Sequence, residues 1–290
     1  MRIGAVYPHT EIGEDPGAIR DWARAVEEMG YHHVLAFDHV LGASPQGRPG
    51  WAGYTDRHAF HEPLVLFGFL AGVTTTLELT TGVLVLPQRQ TALVAKQAAQ
   101  VHLLSGGRLR LGVGIGWNEV EYQALGENFR DRGARSEEQV RLMRELWAHQ
   151  AIDFTGRWHR VDRAGINPRP GPGGIPVWFG GYAEATMRRV GRLGDGWMPR
   201  RWPDEVAHEQ LERVRAYARE AGRDPAAIGF ETRLTLPALP ESQHAAYVRG
   251  WRDLGATHLS VDTMAMGLST VDQHLDVLRD TLKAIQSTLA

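Results

Sequence analysis

Residues 34–40, "VLAFDHV", bring four apolar residues up to Asp38, and His39 follows at once. An acid beside an imidazole can move or stabilise a proton, because histidine titrates near neutral pH. A turn in which His39 only caps the chain would use the same two residues. The choice depends on where the apolar run ends in the fold. A second stretch is "VWFGGYAEATMRR", where an apolar run stops, Gly180 and Gly181 follow, and a helical pattern begins. Glycine admits close approach of a ligand to backbone N–H groups, and a helix N-terminus carries partial positive charge. Such a turn suits a phosphate. A tight strand-to-helix turn that needs positive φ would also place two glycines there.

The stretch "LGVGIGWNEVEY" puts Gly112, Gly114 and Gly116 at a G-x-G-x-G spacing, which is not the G-x-G-x-x-G dinucleotide fingerprint. Small residues there could let a flat ring lie against the backbone. Asn118 and Glu121 read as a capping box for the next helix. His58 and His61 of "HAFHE" stand at i,i+3 beside a Gly/Pro-rich segment, and no metal site is expected from them. Arg200 and Arg201 read either as a binding site for an anionic tail or as an exposed pair. Of the nine tryptophans, Trp51 and Trp117 are placed at the pocket as substrate contacts.

These residues need elements to position them. Short apolar runs at 2–7, 32–38, 77–87, 108–116, 173–181, 195–199, 228–236 and 256–264 read as strands. Amphipathic segments alternate with them. The first, 15–30, starts at Asp15-Pro16, stops at Gly30, and spaces Ile19, Trp22, Ala23 and Val26 along one helical face. Eight strand–helix units with continuous apolar strands predict a parallel sheet closed as an α/β (β/α)8 TIM barrel. Two connections exceed ordinary loops, 39–61 and about 118–172. The second is an insertion between strands 4 and 5. It holds a helix, "SEEQVRLMRELWAHQ", and a hairpin, "AIDFTGRWHRV", with Thr155-Gly156 in its turn. Residues 1–290 are expected to form one domain. In such a barrel the site lies at the strand C-terminal ends. That gathers Asp38 and His39, Gly82 and Val83 with Arg89 beyond, Gly114, Gly116 and Trp117, Gly180 and Gly181, and Asp195-Gly196-Trp197 of strand six.

Composition narrows the function classes. The chain carries 32 basic and 34 acidic residues, a formal net charge of -2 without a basic block, so no nucleic-acid partner is expected. It has no cysteine, which excludes disulfides, thiolate catalysis and zinc–thiolate sites. No apolar run is long enough to span a bilayer, and no signal-peptide pattern opens the chain. A cytoplasmic protein without a membrane partner is expected.

The ordered set "LSGGRLRLGVGIGWNEVEYQALG", "RGARSEEQVRLMRELW", "GRWHRV" and "IPVWFGGYAEATMRRVGRLGDGW" resembles the bacterial-luciferase-like superfamily, and more closely its F420-dependent oxidoreductase branch. The resemblance implies a (β/α)8 barrel, often a homodimer, that binds a flavin or deazaflavin at the strand C-termini. Asp38-His39 resembles the strand-two Asp-His of deazaflavin enzymes, whose histidine lies beside the reacting ring carbon. Gly82-Val83 matches the site of a non-prolyl cis peptide behind the ring. Gly180-Gly181, followed by Tyr182, matches the cofactor-phosphate turn. With Arg89 and Gly116, these residues form the expected cofactor set. Sugar-phosphate dehydrogenases of the family carry a tryptophan after the Asp-His and a glutamate after the G-x-G of strand four. Here those positions read "VLGA" and Trp117, which argues against sugar-phosphate oxidation and against a proton donor carried over there. The expected function is hydride transfer between coenzyme F420 and a small-molecule substrate, with His39 as the catalytic residue. An FMN-dependent monooxygenase and a non-catalytic flavin-binding barrel are the alternatives.

Overall fold

A computed structural model covering residues 1–290 places its strands, in chain order, at β1 (Arg2–Val6), β2 (His33–Ala36), β3 (Glu78–Thr81), β4 (Leu84–Val85), β5 (Leu109–Gly114), β6 (Ile152–Thr155), β7 (Arg160–Ala164), β8 (Val177–Gly180), β9 (Gly196–Met198), β10 (Gly229–Thr235) and β11 (His258–Asp262). The order around the main sheet is β3-β2-β1-β11-β10-β9-β8-β5-β4, and β3 also pairs with β5, which closes the cylinder. β3 and β4 occupy one strand position interrupted at Gly82-Val83, so the barrel has the eight positions expected from the alternation. Every pairing in the barrel is parallel.

The helices are α1 (Pro16–Glu28), α2 (Pro63–Val73), α3 (Thr91–Leu104), α4 (Glu119–Ala124), α5 (Arg132–Ala148), α6 (Glu184–Leu193), α7 (Glu205–Glu220), α8 (Glu241–Asp253) and α9 (Val271–Leu289). None is long and apolar enough to cross a membrane. α1 forms as its sequence dictates. Asp15 accepts from the Ala18 N–H at 2.8 Å, Pro16 opens the first turn, and Ile19, Trp22, Ala23 and Val26 are the buried face. Between β5 and β8 lie α4, α5 and the antiparallel β6–β7 hairpin. Glu138 of α5 holds the hairpin turn by accepting from the N–H groups of Arg157, Trp158 and His159 at 2.7–2.9 Å.

A charged layer fills the lower barrel. β5 and β10 are not sheet neighbours, so the Arg110–Glu231 ion pair crosses the interior. Arg110 also bonds Glu78 at 2.6 Å and lies 4.3 Å over the Trp178 ring. His33 and Ser260 complete Glu231's partners, at 2.9 and 2.5 Å from Oε1. Burial pushes the Glu231 carboxyl up, but Arg110 and His33 outweigh it and hold the group far below the usual carboxylate range. The bulky layer needs room opposite it. A Cβ on Gly196 would sit 2.1 Å from Trp178 Cδ2, a contact no side chain can make.

Removing Arg110 would strand the buried carboxylate of Glu231 and the half-buried one of Glu78. Arg110→Met is expected to lower unfolding stability by about 3–5 kcal/mol, measured by urea titration. A change under about 1 kcal/mol would show that the layer does not hold the barrel closed.

Candidate functional site

The mouth above this layer is apolar at its floor. Val6, Leu35, Phe37, Trp178, Met198 and Met264 form one buried cluster, with Phe60 and Val83 packed against it. The Gly82-Val83 peptide is cis, as the resemblance implied. The Val83 side chain rests between two strand ends. A Cβ on Gly114 would lie 2.4 Å from Val83 Cγ2, and one on Gly180 would lie 2.6 Å from Val83 Cγ1. Only glycine at both positions lets Val83 form a ledge there.

Just past Gly180 the chain turns into α6. Gly181 has φ +115°, a conformation that glycine alone adopts easily, so the turn reading of this glycine pair holds. Its carbonyl accepts from the Trp197 indole N–H at 2.6 Å. The N-cap of α6 is Ala183, whose side chain cannot cap. The N–H groups of Glu184 and Ala185 therefore lack an acceptor within the chain, while that of Thr186 bonds the Ala183 carbonyl at 2.8 Å; the open pair suits an anion. Tyr182 beside them is 64% exposed.

His39 follows β2 at the mouth. Its ring lies among Tyr54, Phe60 and Trp117, at centroid distances of 5.0, 4.9 and 5.9 Å. Tyr54 and Phe60 come from the long loop 39–61, which folds across the mouth. The same loop packs Trp51 against Trp117 at 5.6 Å, so these two tryptophans do meet at the rim. Gly116 turns the chain toward Trp117 with φ +64°.

The capping-box reading of Asn118 and Glu121 holds only by half. Asn118 caps α4 by accepting from the Val120 N–H at 3.1 Å. Glu121 instead reaches back to His39, with Oε2 3.5 Å from Nδ1, and accepts from the N–H groups of Val40 and Leu41 at 2.8 and 3.2 Å. Burial raises its carboxyl, but bonds from His39, Leu41 and Gln88 outweigh that and hold it below the ordinary range. Glu121 is the partner of His39 that sequence reasoning missed. Spacing pointed it at the local helix start, whereas the fold pointed it at β2.

Asp38 and Arg89, both expected to bind cofactor, bind each other. Arg89 Nη2 lies 2.7 Å from Asp38 Oδ1, and Nη1 lies 2.7 Å from Glu62 Oε1. The second Asp38 oxygen accepts from the Val85 N–H at 2.8 Å. Asp38 is thus a clamp from β2 to β4, and Arg89 is neutralised by two carboxylates. Arg201 is likewise engaged, with Gln210 at 3.0 Å and Asp204 at 3.6 Å. Arg200 is exposed. Asp195 lies at the start of β9, not at its outgoing end, because Val177 N–H and Arg144 hold it there at 2.8 Å each. His58 Nδ1 engages the Thr55 N–H and hydroxyl at 3.0 and 2.9 Å.

Residues 1–285 match the family described as luciferase-like monooxygenase. The chain belongs to that family. It is 31% identical over 254 residues to an F420-dependent hydroxymycolic acid dehydrogenase of Mycobacterium tuberculosis, covering 86% of this chain and 66% of that protein. Among solved structures it resembles an F420-dependent secondary alcohol dehydrogenase with an F420–acetone adduct, at TM-score 0.79 and 18% identity, over 98% of each chain. It also resembles an EDTA monooxygenase from Chelativorans sp. BNC1, at TM-score 0.80 and 14% identity, over 99% of this chain and 93% of the other. At those identities the two structures show the shared barrel.

Two outcomes follow from the geometry. Glu121→Ala should free the Val40 and Leu41 N–H groups, so their amide hydrogen exchange should speed up about tenfold or more, for roughly 1.4 kcal/mol of lost protection. Unchanged exchange would leave Glu121 without a role in holding this segment. The second concerns His9, which is fully buried and accepts from the Phe37 N–H through Nε2 at 2.9 Å. Burial, then like charge at His61 and His39, lowers its pKa from 6.5 to about 3. Between those values the unfolded chain binds the extra proton, so this contribution is complete above pH 6.5 and is lost as pH falls toward 3. His9→Gln should reduce the loss of stability on acidification by up to about 1.4 kcal/mol per pH unit in thermal or urea unfolding at pH 4–6. Parallel profiles for variant and wild type would contradict the assignment.

Proposed function

We propose that the chain is an oxidoreductase that moves a hydride between coenzyme F420 and a small organic molecule at the barrel mouth. One observation carries this reading. The end of β8 supplies both Gly180, on which the Val83 ledge rests, and the turn into the uncapped N-terminus of α6. A flat ring over the ledge and a phosphate on α6 would therefore both be positioned by a single strand end. The F420-dependent dehydrogenase relative supports the same choice.

The bound deazaflavin would supply hydride chemistry. The protein's part is positional and electrostatic. Val83, Gly114 and Gly180 would back the ring, and the first N–H groups of α6 would hold the phosphate. His39 would face the reacting region and exchange or stabilise a proton, with Glu121 fixing the ring from Nδ1. The loop bearing Tyr54 and Phe60 would keep water from that side.

FMN-dependent monooxygenation is the second reading, and one observation favours it. An F420 tail is anionic beyond the phosphate, yet of the three arginines expected to meet it Arg89 and Arg201 are engaged by acidic or amide partners, which leaves Arg200. Fluorescence titration of the protein with F420 and with FMN separates the two. Tighter F420 binding is expected, and His39→Ala should retain it while losing about 10²–10⁴-fold in turnover with an identified substrate. Tighter FMN binding would select the monooxygenase. Binding of neither would leave a barrel without this chemistry.

A further inference from the structure

The side of the mouth facing away from the Val83 ledge holds charged groups that the cofactor reading does not use. Arg233 projects from β10 and Asp262 ends β11. Arg233 is 12% exposed, and its nearest carboxylate oxygen, Asp262 Oδ2, is 3.7 Å from Nε, beyond a hydrogen bond. Nε is buried with no partner. The guanidinium lies 4.6 Å over the Phe37 ring, so it sits directly on the apolar floor. Asp262 is already engaged, accepting from the Met264 N–H of its own loop at 3.1 Å and from the Thr235 hydroxyl at the end of β10 at 3.4 Å. Burial and then the nearby charge of Arg200 lower the Arg233 pKa, and Tyr54 lies within reach of the same charges.

A buried guanidinium N–H such as Nε without a hydrogen bond is costly to keep. Its cost is removed if a ligand completes it. Asp262 and Glu11 both lie in this charge cluster, but each accepts from a nearby backbone N–H, those of Met264 and Ala265, which leaves the two arginines to face an anion. A planar carboxylate also fits the fork of a guanidinium, which can donate two parallel N–H bonds to it. The apolar surface of Phe37, Met198 and Met264 would take the carbon skeleton. We propose that Arg233 and Arg200 form a substrate subsite for a carboxylate, and that the small molecule handled here is an organic acid with an apolar body. The substrate assignment rests on the oxidoreductase reading. The anion site rests on Arg233, Arg200 and Asp262 alone.

The test uses simple probes and the full chain. Benzoate, its neutral analogue benzamide, and phenyl phosphate are titrated by calorimetry against wild type, Arg233→Met, Arg200→Met and Asp262→Asn. Benzoate is expected to bind wild type at least about tenfold more tightly than benzamide. Each arginine variant should weaken benzoate by about 10–100-fold and leave benzamide unchanged, as expected for loss of a charge-assisted bond. Asp262→Asn should tighten benzoate. Because Arg200 is exposed, its variant tests the site even where Arg233→Met folds poorly. No benzoate binding to wild type, or equal affinity for benzamide, would overturn the proposal. Tighter phenyl phosphate binding would overturn the carboxylate assignment. F420 and FMN are titrated in parallel. Failure of both cofactors, with benzoate discrimination intact, removes the oxidoreductase reading and keeps the anion site. An Arg233→Met variant that weakens F420 and not benzoate would assign these cations to the cofactor tail instead.

Discussion

A buried charge tied to strands across the barrel sets the frame for everything above it. Arg110 reaches Glu78 on β3 and Glu231 on β10, while His33 on β2 and Ser260 on β11 share the same glutamate. Charge buried this deeply is tolerable only when every member is paired, so five strands must meet in one register. That register decides which residue of each strand faces inward one layer higher. Two residues beyond Glu231 it is Arg233, and two beyond His33 it is Leu35, with Phe37 a further two residues up. The mouth inherits its residues from the layer below.

The mouth itself divides by chemistry. On one side, Val83 lies on two glycines as an apolar ledge beside the uncapped start of α6. Between the sides, His39 is held by Glu121 and by a wall of aromatic rings. On the other, Arg233 sits over Phe37 with unused donors. The clamp of Asp38, Arg89 and Glu62 stands behind His39 and joins β2, β4 and the start of α2. It spends three charges on holding the segment that carries the histidine, which explains why an Asp-His pair in sequence does not become a pair in space.

Much of this was legible in the chain. The alternation of short apolar runs with amphipathic segments gave the barrel, because a strand buried on both faces reads as apolar throughout while a helix buries one face at period 3.6. Asp15-Pro16 gave the start of α1, since capping is a local interaction. Gly180-Gly181 and Trp51 with Trp117 were also readable, as residue types that only a turn or a pocket rim uses well. Glu121 was not. Its local spacing favoured a capping role, and its partner lies 81 residues earlier at Val40.

Arg89, Arg201 and Asp195 show the same limit from the other side. The sequence by itself determined the barrel, the glycine turn, and the set of polar residues near strand ends, because those follow from periodicity and local backbone chemistry. Only the tertiary structure decided which charges neutralise one another. Arg89 met two carboxylates, Asp195 was held at the start of β9, and Arg233 was left without a hydrogen bond. Long side chains choose partners across several ångströms and across distant segments, and that choice depends on barrel register and burial, neither of which a linear pattern encodes.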